Sequence, residues 1–125
     1  MKKIIYTDNA PAAIGPYSQA NQIDNTIYVS GQLPLDPATK AFAGDSIAEQ
    51  TRQSLTNAKA ILEEAGFTMT DVVKVTVLLD DITDFTGMNE VYGEFFVSNY
   101  PARAAFEVAK LPLGAKVEIE MIAAK

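Results

Sequence analysis

The 125-residue chain contains no cysteine, no histidine and no tryptophan. Without cysteine it has no disulfide, no thiolate nucleophile and no zinc–thiolate centre. Without histidine it has no Ser-His-Asp triad, no imidazole-ligated metal and none of the usual general bases for neutral pH. Acid–base chemistry is left to carboxylates, tyrosines, lysines, water or the backbone. An excess of basic residues is also lacking: 10 Lys and Arg stand against 16 Asp and Glu, a net charge of −6. Such a surface repels a phosphate backbone and argues against nucleic acid as the main partner. Long apolar runs are missing too. The first one turns polar at Thr7, too soon for a signal peptide, and none approaches the roughly 20 residues of a membrane span. These absences lead to the expectation of a soluble cytoplasmic protein with no membrane partner.

What is present is a composition that is 48% hydrophobic, enough for one globular domain over residues 1–125. Strand patterns cover Lys3 to Tyr6, Tyr17 to Ile23 and Thr26 to Ser30, the last two joined at an Asp24-Asn25 hairpin turn. Residues 34 to 45, rich in Pro, Asp and Gly, read as loop. Ser46-Ile-Ala-Glu49 is a capping box. The helix after it carries Ile47, Thr51, Leu55, Ala58, Leu62 and Ala65 at helical spacing, and Gly66 stops it. Val72 to Leu79 is a strand apolar on nearly both faces. Asp80, Asp81 and Asp84 lead into a second helix that buries Phe85, Met88, Tyr92 and Phe95 or Phe96. Helix capping accounts for these carboxylates better than a metal does. Ala102 to Val108 and Lys116 to Ala123 are the last strands, and a Leu-Pro-Leu-Gly turn between them is expected to bring them close together. The order β-β-β-α-β-α-β-β is α+β: about six strands with two helices on one face. The uncovered face needs a partner, most simply further copies of the chain.

Arg103 is the leading candidate for chemistry. With Ala105 and Glu107 it occupies one face of its strand, while Ala104, Phe106 and Val108 occupy the other. Assigning Phe106 and Val108 to the core directs Arg103 to the partner face. There it either pairs with a protein carboxylate or grips a ligand carboxylate in its planar fork. Glu118 and Glu120 share one face of the last strand. They serve either to position a water or as an ordinary salt-bridged strand face. Gly31, after Ser30, permits a close approach to the backbone or simply ends a strand.

The chain carries six motifs in order: Ala13-Ile-Gly-Pro-Tyr-Ser-Gln-Ala20, Ile27-Tyr-Val-Ser-Gly-Gln-Leu-Pro34, Gln50-Thr-Arg-Gln-Ser-Leu-Thr-Asn57, Asn89 with Tyr92, Pro101-Ala-Arg-Ala-Ala-Phe106, and Lys110-Leu-Pro with Val117-Glu-Ile-Glu120. In this order and spacing the chain resembles the RidA/YjgF/YER057c/UK114 family of reactive-intermediate deaminases nearly end to end. The resemblance implies a chorismate-mutase-like fold and a homotrimer with sites between subunits. It implies hydrolysis of 2-imino acids such as 2-iminobutanoate and 2-iminopropanoate, or their enamines, to 2-keto acids and ammonia, with no cofactor and no metal. It also implies that this protects PLP enzymes from the intermediates. By the same resemblance Arg103 and the Gly31 N–H hold the substrate carboxylate, and the Ala105 carbonyl accepts from the imine nitrogen. Glu118 orients water, Tyr17 closes the pocket from a neighbouring subunit, and Ser30, Phe85 and Asn89 shape it. Many members carry Ser or Thr and then Cys after the arginine; here Ala104 and Ala105 leave only the backbone to act. The alternative is a non-catalytic module that binds a small carboxylate or a protein, or a translation-inhibitor or ribonuclease type of member.

Overall fold

The structure, a computed structural model, describes residues 1–125. The strands are β1 (Lys3–Ile5), β2 (Ala20–Ile23), β3 (Thr26–Gln32), β4 (Val72–Leu79), β5 (Ala102–Glu107) and β6 (Val117–Ala124), and the helices are α1 (Ile47–Glu64) and α2 (Phe85–Phe95). The strands form one mixed sheet in the order β1-β2-β3-β6-β4-β5. Only β4 and β5 run parallel, joined through α2 as a parallel pair requires. No helix is long and apolar enough to cross a membrane.

The capping box at Ser46 and Glu49 is formed, and Gly66 follows α1 with φ +82°, so the helix starts and stops where its sequence directs. Leu55, Ala58, Ile61 and Leu62 of α1 and Met88 and Tyr92 of α2 pack on Ile27, Val29, Val75, Val77, Val117, Ile119 and Met121 of the sheet in one cluster of 21 buried residues. Gly87 lets the helices meet: a Cβ there would lie 2.7 Å from Ile47 Cγ2. Asp81 caps the turn before α2 by accepting from Thr83 N–H (2.9 Å), as the capping reading of these aspartates expects. The opposite sheet face has no helix. It exposes Tyr28 and Phe106, and the register sets Ile122 beside Tyr28 and Leu78 beside Phe106.

Two expectations are corrected. β5 and β6 are not neighbours, because β4 lies between them. The turn after β5 therefore carries the chain past β4 instead of closing a hairpin. The faces of β5 are also reversed. Arg103 pairs with the buried Val75 and Ala105 with the buried Val77, whereas Phe106 pairs with Leu78. Arg103 thus lies on the helix-covered face, and Phe106 is 47% exposed on the open one. The side-chain alternation holds, but the face that is core is set by register with β4, a strand distant in sequence.

Candidate functional site

The predicted residues fall into two groups, on opposite faces of the sheet. The first surrounds the end of β3. Its ladder with β6 pairs Val29 with Met121 and Gln32 with Ile119, so Ser30 and Gly31 bulge opposite Glu120. A bulge loosens the ladder and re-aims what it carries. Here it brings the Gly31 backbone against Glu118. A Cβ on Gly31 would sit 3.0 Å from the Glu118 carboxylate carbon and closer still to one oxygen. A side chain at 31 would force the Glu118 carboxylate to move, so glycine permits this seating. Ser30 Oγ donates to the Ser18 carbonyl (2.6 Å) and Ser30 N–H to the Gln19 carbonyl (2.9 Å), which ties the loop carrying Tyr17 to the strand. Tyr17, Ser30, Gly31, Glu118 and Glu120 line one cleft of about 710 Å³, walled by apolar residues including Ile14, Leu33 and Leu113.

Within that cleft Glu118 is half-buried. Desolvation raises its pKa, and the neighbouring Glu120 charge raises it further. A carboxylate of raised pKa that faces a cleft can exchange protons with a bound water.

The second group surrounds Arg103 at the outer edge of the sheet. Arg103 Nη1 donates to Asn89 Oδ1 (2.6 Å), and its Cζ lies 4.6 Å from the Tyr92 ring centroid and 5.4 Å from that of Phe85. Phe85, Asn89 and Tyr92 are at i, i+4 and i+7, one face of α2. Aromatic faces and one side-chain carbonyl attract the guanidinium without neutralising it. The chain's one ion pair joins Arg52 to Glu94 (2.9 Å), so Arg103 has no carboxylate partner within the chain. Arg103, Asn89, Tyr92 and Tyr100 line an open depression of about 350 Å³. Burial pushes the Tyr92 hydroxyl's pKa up, and the Arg103 charge opposes that shift. Tyr92 joins this candidate site, although residue patterning assigns it to the core and the resemblance that includes it beside Asn89 gives it no site role; its i+7 spacing from Phe85 and i+3 from Asn89 is an available signal.

The backbone of β5 adds to this group. Val108 N–H donates to the Leu79 carbonyl (2.9 Å), and Leu79 stands opposite Glu107. In a parallel ladder such a residue bonds to both neighbours of its opposite number. Residues 104, 106 and 108 therefore use their backbone groups toward β4. The N–H and C=O of Arg103 and Ala105 point to the free edge, beside the guanidinium.

The two groups cannot meet within one chain. Glu118 pairs with Leu78 and faces the open side, whereas Arg103 pairs with Val75 and faces the helices. Two strand spacings, roughly 10 Å, also separate β6 from β5. One chain thus presents an acidic cleft on one face and a cationic edge on the other. No group of three or more Asp and Glu residues is placed to hold a metal ion.

Comparison with known proteins agrees with this architecture. A 2-iminobutanoate/2-iminopropanoate deaminase of Bos taurus is 56% identical over 98% of this chain and 90% of its own length. The Escherichia coli YjgF gene product superposes with a TM-score of 0.95 at 48% identity, covering 98% of each chain. E. coli TdcF, solved with bound serine, superposes at 0.94 with 44% identity over 98% of each chain. The profile described as Endoribonuclease L-PSP matches residues 7–125, and the chain belongs to this family, that of RidA and YjgF.

Proposed function

We propose that the protein is a hydrolytic deaminase of 2-imino acids, acting as a homotrimer in which Arg103 of one subunit meets the cleft of the next. The observation that carries this reading is Arg103 itself. It is a cation without a carboxylate partner, fixed on Tyr92 and Asn89 beside unpaired backbone groups at an open edge. The complementary half, with Glu118, Gly31 and Tyr17, lies on the opposite face of the sheet, so a second copy must supply it. The exposed Tyr28 and Phe106 give that copy an apolar surface to cover. The relatives named as 2-iminobutanoate/2-iminopropanoate deaminases support the choice of substrate.

The proposed reaction begins with the substrate carboxylate held by the Arg103 fork and the Gly31 N–H. The Ala105 carbonyl accepts a hydrogen bond from the imine N–H and fixes the C=N plane. Glu118 takes a proton from a water as the water's oxygen bonds to C2 and passes that proton to the imine nitrogen, giving the carbinolamine. Glu118 then takes the hydroxyl proton and delivers it to the amine nitrogen as the C–N bond breaks, so that C=O forms and ammonia leaves. The products are the 2-keto acid and ammonia, with water the only co-reactant. Imines hydrolyse unaided in water, so orientation and charge placement suffice for the catalyst. Removal of these intermediates in the cytoplasm would spare PLP enzymes.

The test generates 2-iminopropanoate or 2-iminobutanoate in situ with an amino-acid oxidase and follows the loss of the imine at substoichiometric protein. Catalytic turnover is the expected result. Saturable pyruvate binding without turnover would make the protein a carboxylate-binding module instead.

A further inference from the structure

The segment Gln50–Asn57 has no part in the two groups above, yet it places polar side chains where a helix of this fold would bury apolar ones. Gln50, Thr51, Ser54 and Asn57 are all buried on the inner face of α1, between 0 and 3% exposed. Burial of polar side chains is unfavourable unless their hydrogen bonds are made, and the bonds of the two amides go to particular places. Gln50 Oε1 accepts from Lys116 N–H (2.8 Å), and its Nε2 donates to the Gly44 carbonyl (3.0 Å). Asn57 Nδ2 donates to the carbonyls of both Leu33 (3.1 Å) and Leu35 (2.9 Å). Gln53 donates to Asn57 Oδ1 (2.8 Å) and fixes the orientation of that amide.

Three of these four backbone partners, Lys116, Leu33 and Leu35, adjoin the acidic cleft. Lys116 is two residues before Glu118, and Leu33 is two residues after Gly31. Leu33 and Leu35 themselves line the cleft. From this juxtaposition we infer that Gln50 and Asn57 are positioning residues for the Glu118 half-site. One rigid helix holds the start of β6 and the exit from β3 at a fixed separation, so that the Glu118 carboxylate stays seated on the Gly31 backbone. Neither amide reaches the cleft as a ligand, and both act through the backbone. A displacement of about 1 Å at a reacting group can cost about a hundredfold in rate. Buried amides set such a distance more firmly than apolar contacts do, because their bonds are directional.

The kinetic part of this inference rests on the deaminase reading; its structural part does not. The test compares Gln50→Met, which removes both bonds at similar volume, with Gln50→Glu, which keeps an acceptor for Lys116 N–H and gives up the bond to Gly44. For Gln50→Met we expect kcat on 2-iminopropanoate to fall about tenfold or more, with pyruvate affinity within about twofold, since Arg103 is untouched. For Gln50→Glu we expect most of kcat to remain. The Glu118 carboxyl, titrated by NMR, should move toward the ordinary carboxylate range in Gln50→Met and stay in place in Gln50→Glu. Unchanged kcat with an unmoved Glu118 titration in folded Gln50→Met would overturn the inference, as would equal losses in the two variants. If Gln50→Met does not fold, Asn57→Asp, which replaces the donor to Leu33 and Leu35, is read by the same two measurements. If the wild-type protein itself turns over no imine, the deaminase reading fails, and the NMR titration still decides the brace.

Discussion

Arg103 and Glu118 are opposite charges held by opposite means. The guanidinium rests on side chains of one helix face, two aromatic rings and one amide, at an edge where nothing lies beyond it. The carboxylate is pressed against backbone, in a cleft where burial and a second carboxylate both disfavour its charge. A long, planar cation tolerates soft support if, as proposed, a ligand carboxylate completes its geometry. A short carboxylate proposed to place a water has no such freedom, and its position is set by a bulge and a glycine. The cationic edge should therefore govern binding, and the acidic cleft should govern turnover.

The largest effect should come from breaking the edge. Arg103→Ala removes the proposed carboxylate anchor, and loss of a desolvated charge contact costs about 2–5 kcal/mol. We expect kcat/KM to fall on the order of 10² to 10³-fold, with pyruvate binding lost in calorimetry. Full activity in this variant would remove Arg103 from the site. Next comes Glu118→Gln, with kcat expected to fall about 10²-fold, as for loss of a general base, and pyruvate affinity kept within about twofold. If affinity and turnover fell together, the division of labour between the two regions would be wrong.

Gly31→Ala sharpens the same contrast, because it alters the cleft without altering a charge. The added methyl overlaps the Glu118 carboxylate. The carboxylate must swing away or the bulge must open, and we expect about tenfold or more lost in kcat. Thermal unfolding should change less than for a core truncation, since the clash is with the end of a side chain that can move into the open cleft. Wild-type turnover in Gly31→Ala would mean that the Gly31–Glu118 contact does not matter to the reaction.

How much of this is legible in the sequence differs between the two regions for a physical reason. α1 is marked by its capping box, its spacing and Gly66, all local signals. The core face of β6 is legible because Val117, Ile119 and Met121 alternate with Glu118, Glu120 and Ile122. In β5 the local pattern points the wrong way: the charged Arg103 and Glu107 share the face that turns toward the helices, and Phe106 is on the face left open. The choice of face is made by register with β4, the strand that also separates β5 from β6 where the turn between them suggests contact. The seating of Glu118 on Gly31 depends on a bulge between strands nearly 90 residues apart, beyond any local pattern. Tyr92 is available from the face it shares with Phe85 and Asn89, but an aromatic at helical spacing reads first as core, and here it is both.

The smallest predicted effect is also the most specific to the acidic cleft. Glu120→Gln removes the like charge that, after burial, keeps the Glu118 pKa raised. Because folding raises this pKa, the folded state binds the proton more tightly than the unfolded chain does. Glu118's contribution to stability is then fully present below the unfolded carboxylate pKa and is lost as pH rises through the raised folded value. Catalysis has the opposite sign, since the proton-accepting form is the ionised one. On removal of the Glu120 charge the acid limb of the kcat–pH profile should move to lower pH, and thermal stability above that limb should rise. Turnover well above that limb should stay close to wild type. Arg103 and the Gly31 N–H, the proposed holders of the substrate carboxylate, are unaltered in this variant, so pyruvate affinity should change less than the acid limb does. An acid limb that stays in place would assign it to a group other than Glu118, and a shift in affinity in place of turnover would move Glu120 to the binding side of the comparison.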